Sequence, residues 1–103
     1  MALPPLTPEQ RAAALEKAAT ARTVRAQVKQ NLKHGTTTLP DVLQYATGDE
    51  VIARMKVSSL LESLPGVGKV RAAQAMEKLG ISESRRVRGL GASQRAALLE
   101  WAA

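Results

Sequence analysis

The chain holds no cysteine and no phenylalanine in its 103 residues. Without thiols it can form neither disulfides nor thiolate metal sites, and the composition suits a reducing compartment. The lone histidine, His34, has no cysteine to share a metal with. Aromatic rings are limited to Tyr45 and Trp101. Single-strand binders stack bases on several rings, and RNA-recognition sheets need them too. The scarcity points instead to a duplex gripped by its backbone. No apolar run approaches the roughly 20 residues that a membrane-spanning helix needs. The opening MALPPLTPEQ lacks the basic start and apolar stretch of a signal peptide. A cytoplasmic location is therefore expected, with no membrane partner, no metal and no cofactor.

What the chain does have is positive charge. Fifteen Lys and Arg oppose nine Asp and Glu, for a formal net charge of +6. That excess favours a polyanionic partner: DNA, RNA or an anionic surface. The length suits one compact domain. Its core must come from Leu, Val, Ala, Ile and Met.

Helix signals dominate the chain, and no segment sustains period-two alternation. Residues 1–6 read as a flexible arm, with Pro4 and Pro5 blocking regular structure. Thr7 is placed as an N-cap, Pro8 as the first helical residue and Gln10 as the partner in a capping box. An Ala-rich stretch follows and Gly35 supplies the stop. A single helix from about Pro8 to Lys33 is predicted, about 39 Å long. In its second half Ala21, Val24, Val28 and Leu32 form an apolar stripe. Arg22, Arg25, Lys29 and Lys33 form a basic one beside it. The first half offers only Leu15 as a large apolar residue, so it should project or pack weakly.

Shorter helices follow. Thr38 can cap one through Asp41, Val42, Leu43 and Tyr45 that ends near Gly48, and Asp49 another from Glu50 to Met55. Lys56 to Leu64 is next, ended by Pro65. Gly68 to Leu79 follows and stops at Gly80. Ser82 can cap a turn, Arg85 to Gly91 reads as a connection, and Ser93 to Trp101 as a last amphipathic helix. The predicted fold is all-α: a long basic helix over residues 7–35 joined to a compact body of short helices over 36–103.

The most informative segment runs from Leu61 to Ala72. A helix ends at Pro65, a tight turn passes through Gly66, Val67 and Gly68, and a new helix begins at once. Glycines tolerate positive φ and admit another backbone. Val67 can anchor the hairpin inward. The first N–H groups of the new helix then face outward at the positive end of its dipole, an anion site. Lys69 and Arg71 add charge beside it. The pattern Leu64, Pro65, Gly66, Val67, Gly68 and Ala72 resembles the helix-hairpin-helix and helix-two-turns-helix motifs, which hold backbone across the minor groove. A P-loop is excluded, because Ser63 and Val70 stand where that motif wants Gly and Ser or Thr.

A second basic feature is Arg85-Arg86-Val87-Arg88-Gly89-Leu90-Gly91. Its three arginines suit bidentate phosphate contacts or a narrow minor groove. Ser93 can add a hydroxyl and an N–H, and Lys56 joins the candidate DNA-binding set. Leu90 is the one candidate for an apolar wedge between base steps.

Three stretches extend a resemblance across nearly the whole chain: MALPPLTPEQRAAALEKA, MKVSSLLESLPGVGKVRA, and RRVRGLG followed by QRAALLE. Together they resemble the actinobacterial integration host factor family. That resemblance implies a monomeric, nucleoid-associated protein that binds double-stranded DNA with little sequence selectivity. It implies DNA bending or compaction, support of phage integration with the integrase, and influence on gene expression. It implies a long N-terminal helix joined to a helix-two-turns-helix domain. The family's hairpin maps to Gly66, Val67, Gly68, Lys69 and Arg71, its basic loop to Arg85, Arg86 and Arg88, and its long-helix contacts to the Arg22, Arg25, Lys29 and Lys33 stripe. The competing readings are an RNA-binding or ribosome-associated protein using the same hairpin, a scaffold recruiting integrase or polymerase, and a glycosylase fragment. An enzyme is not expected, since Asp41 and Asp49 are placed as helix caps and a chain this short offers little else.

Overall fold

The computed structural model describes residues 5–102. The arm expected over residues 1–6 lies outside the described residues except for Pro5 and Leu6, which adopt no regular structure. Thr7 then starts the first helix. Its Oγ1 accepts the Gln10 N–H at 3.1 Å, and its own N–H donates to Gln10 Oε1 at 3.0 Å. The capping box is thus closed, with Pro8 just inside it. Helix α1 runs Pro8–His34, 27 residues, about 40 Å. Gly35, at φ 74°, turns the chain out of the helix.

The two halves of α1 differ as their composition predicts. Every residue from Pro8 to Thr20 is exposed. Further on, Ala21, Val24 and Val28 are half-buried and Leu32 is buried. The last turns of α1 therefore share the core, and the first turns project from it. Thr7→Ala removes a cap worth about 1 kcal/mol. Because the projecting half buries no side chain, the loss is expected to stay local. Amide exchange should quicken over the first turns of α1 while the melting midpoint of the body stays put. A lowered midpoint would show that the projection stabilises the body.

Helix α2 spans Leu39–Tyr45, and Thr38 Oγ1 accepts the Asp41 N–H at 3.4 Å. Helix α3 spans Glu50–Ala53, where Asp49 Oδ1 accepts the N–H groups of Val51 and Ile52. Helices α4 (Val57–Ser63), α5 (Gly68–Lys78) and α6 (Ala92–Ala102) complete the body. A single 3-10 turn, Val87–Gly89, lies inside the expected Arg85 to Gly91 connection. Ser82 Oγ accepts the Ser84 N–H at 3.3 Å, the turn cap its position predicts.

Helix α3 is shorter than the expected Glu50 to Met55, for a tertiary reason. The Val87 N–H donates to the Met55 carbonyl at 2.9 Å, and the Val57 N–H donates to the Arg85 carbonyl at 3.0 Å. Lys56 and Arg86 thus pair as an isolated antiparallel bridge. That pairing straightens the chain between α3 and α4.

Helix α4 sits at the centre. Val57, Leu60 and Leu61 are each 0% exposed. It packs on α1 and α5, while α2 packs on α3 and α6. Leu32, Leu39, Val42, Leu43, Ile52, Met76 and Leu98 fill the surrounding core. Each such side chain contributes about 1.5–3 kcal/mol. Among the described residues no polar side chain is buried, so every charge is left for the surface. No helix among them is long and apolar enough to cross a membrane. The architecture is all-α, a long N-terminal helix on a body of short ones.

Candidate nucleic-acid interface

The glycine hairpin joins α4 to α5. Leu64 is extended, and the Val67 N–H closes the turn on the Leu64 carbonyl at 3.1 Å. Gly66 and Gly68 lie at φ 76° and 67°. A Cβ built on either would meet nothing within 4 Å. Backbone conformation, not crowding, therefore demands glycine here, since the left-handed region costs other residues about 1–2 kcal/mol. The same open space leaves the main chain accessible. Val67 is half-buried against the core, the anchoring expected of it. No side chain caps the start of α5, so its first N–H groups are left for an outside acceptor. Lys69 and Arg71 are exposed beside them, and Arg71 Nη1 donates to the Gly66 carbonyl at 3.3 Å.

A cleft separates this hairpin from α1. Lys29, Gln30 and Lys33 line one wall, and Glu62 and Ser63 with Gly66 to Gly68 line the other, so two lysines face a single carboxylate across it. A second cleft, about 610 Å³ in volume, runs between the middle of α1 and the α3–α4 junction. Lys17, Arg25 and Lys29 meet Arg54, Lys56 and Arg86 across it. Its floor includes Ala14, Ala18 and Ala21, small side chains that leave room between the walls. Lys29 lines both clefts, so the two form one cationic edge along α1. Among the described residues the one ion pair is Arg54–Glu50. The remaining cations of this edge have no carboxylate within bonding distance there.

The arginine loop is held rather than loose. Arg86 Nη1 donates to the Arg54 carbonyl at 2.6 Å, and buried Val87 pins the opposite side. Arg85 Nη1 donates to the Gly89 carbonyl at 3.1 Å. Arg85, Arg86 and Arg88 line a shallow concavity with Ser82, Ser84 and Gly89. The loop and the hairpin thus occupy opposite ends of α4, about 10 Å apart along its axis.

Of the residues singled out in the sequence, the structure gathers Arg25, Lys29, Lys33, Lys56, Arg86 and the hairpin along one edge. Arg22 is exposed and lines neither cleft. Ser93 is exposed in the first turn of α6 and also lines neither. Leu90 is not a free wedge, because its side chain is half-buried against the core. Two cations escaped the sequence reading. Lys17 stands four residues before Ala21 and eight before Arg25, a helical spacing that marks it in retrospect. Arg54 had no such signal, because its place depends on Arg86, 32 residues away.

These features define a class of protein: residues 32–101 match the family of S13-like H2TH domains. The relatives are closer still. The integration host factor of Streptomyces coelicolor is 69% identical over 98 residues, spanning 95% of this chain and 92% of the relative. That of Mycobacterium tuberculosis is 62% identical over 100 residues, spanning 97% and 95%. A solved structure of sIHF bound to an 8 bp palindromic DNA superposes with a TM-score of 0.83 at 60% identity, covering 85% of this chain and 99% of that one. The chain belongs to the actinobacterial integration host factor family.

Proposed function

We propose that this chain is a nucleoid-associated protein that binds double-stranded DNA through the backbone and minor groove and catalyses no reaction. The observation that carries the proposal is the continuous cationic edge, in which Lys29 joins the Arg25, Arg54, Lys56 and Arg86 cleft to the glycine hairpin. The solved relative in complex with DNA supports the choice of ligand. In this reading the free N–H groups of α5 and the side chain of Lys69 hold phosphates at one end of α4. The Arg85, Arg86 and Arg88 loop holds phosphates at the other. At about 3.4 Å per nucleotide, the length of α4 spans roughly three steps of one strand. Phosphate contacts fix register without reading sequence, so selectivity is low and follows deformability. Helix α1 takes a further piece of backbone and bends the duplex. The protein acts as a monomer, and the family to which it belongs supports a role beside phage integrase and in gene regulation.

Titration of duplex DNA across a salt series tests this, using wild type and a variant with Arg85, Arg86 and Arg88 all changed to Ala. The variant should bind more weakly on every sequence. Its plot of log affinity against log salt should be shallower by roughly 0.9 for each phosphate it no longer neutralises. An unchanged slope and affinity would remove the loop from the interface. Preference for structured RNA over duplex would overturn the choice of partner.

A further inference from the structure

One carboxylate stands in the cation-lined cleft between α1 and the α3–α4 junction. Glu50 shares its walls with Lys17, Arg25, Lys29, Arg54, Lys56 and Arg86. Its Oε1 accepts from Arg54 Nη2 at 2.6 Å, one helical turn away. Both side chains are more than half exposed, at 66% for Glu50 and 57% for Arg54. The pair is therefore a surface contact that a competing anion can reach. The main chain of Arg54 is fixed, because its carbonyl accepts Arg86 Nη1 at 2.6 Å. Only the side chain of Arg54 must turn to change partners, and the residue already lines the cleft.

We propose that Glu50 restrains DNA affinity by occupying Arg54, which joins the interface only when a phosphate displaces the carboxylate. The proposal rests on the reading of this edge as a DNA interface. The chemistry is an exchange of acceptors: one guanidinium leaves a carboxylate and takes a phosphate oxygen of equal formal charge. The exchange gains little on its own, since an exposed ion pair of this kind is worth at most about 1 kcal/mol. The displaced carboxylate also stays close to the incoming phosphate and repels it. Glu50 thus acts twice against binding, which keeps the grip reversible.

Glu50→Gln keeps the shape of the side chain and removes its charge. It is expected to tighten duplex binding by about fivefold, the scale of one exposed ion pair. Its plot of log affinity against log salt should keep the wild-type slope, because Arg54 neutralises the same phosphate in both complexes. Glu77→Gln on α5 alters net charge by the same amount away from the cleft and should change affinity by less than about twofold, being screened. In an Arg54→Ala background the Glu50→Gln gain should shrink, because no guanidinium remains to be released. Melting curves of each variant establish that the body is intact. Equal gains from Glu50→Gln and Glu77→Gln, or a full gain without Arg54, would overturn the proposal while leaving the DNA-binding reading in place. Failure of the wild type itself to bind duplex would instead remove the reading on which it rests.

Discussion

Changing Arg25 and Lys29 together to glutamate is expected to lower duplex affinity by at least about a hundredfold near 0.1 M salt. Both residues line the cleft against Arg54, Lys56 and Arg86, and Lys29 also faces the glycine hairpin. A hydrogen bond to a charged group contributes about 1.5–3 kcal/mol. Removing two such bonds amounts to about 3–6 kcal/mol, or a hundredfold and more. Reversal adds repulsion from the phosphates the edge would hold. The fold should be spared, since neither residue takes part in an ion pair among the described residues. Arg22→Glu is the control. It changes charge on the same helix but lines neither cleft. Fluorescence anisotropy with a labelled duplex, alongside circular dichroism, reads both quantities. If Arg22→Glu weakens binding as much per charge, α1 acts only through net charge, and the clefts are not where DNA sits.

The residues of that edge were not all equally visible in the chain. Helix ends were legible wherever one local device decides them. Thr7 with Gln10, Gly35, Thr38, Asp49 and the Pro65-Gly66-Val67-Gly68 turn each satisfy their own backbone within a few residues. The exposure of the first half of α1 was legible too, because alanine has little area to bury. The clefts were not. They exist because Lys56 and Arg86 pair across the body, and that pairing sets where Arg54 lies. Nothing local to Arg54 announces it. A charged residue four positions after a glutamate reads as an ordinary surface pair. Leu90 shows the converse: a glycine-flanked leucine in a basic loop looks available, yet the 3-10 turn folds it against the core, its N–H bonded to the Val87 carbonyl at 3.1 Å. Local signals thus fix elements and caps, whereas the site itself is a product of long-range packing.

That dependence on packing makes α4 the most sensitive element of the chain. Leu60→Ala is expected to destabilise the body by about 2–5 kcal/mol, as removal of a buried leucine does when the surroundings cannot collapse. Leu60 is 0% exposed, between Val57 and Leu61 that are buried as fully. A chain of this size is stable by about 5–15 kcal/mol, so the substitution removes a large fraction. At about 4–8 °C per kcal/mol for a domain of this size, the melting midpoint should fall on the order of 15 °C. Leu15→Ala is the matched control, since Leu15 is 67% exposed on the projecting half of α1. It should leave the midpoint within a degree or so, consistent with the small effects of surface substitutions. The functional consequence follows from geometry. Helix α4 carries Lys56 and the bridge to the arginine loop at its start, and the glycine hairpin at its end. Loosening its seat should disturb both anchor points together, so DNA affinity should fall even where the protein remains folded. Thermal melts and anisotropy on the same samples measure the two effects. A large drop in midpoint with wild-type affinity below it would show that α4 stabilises the body without setting the spacing of the two phosphate-binding ends.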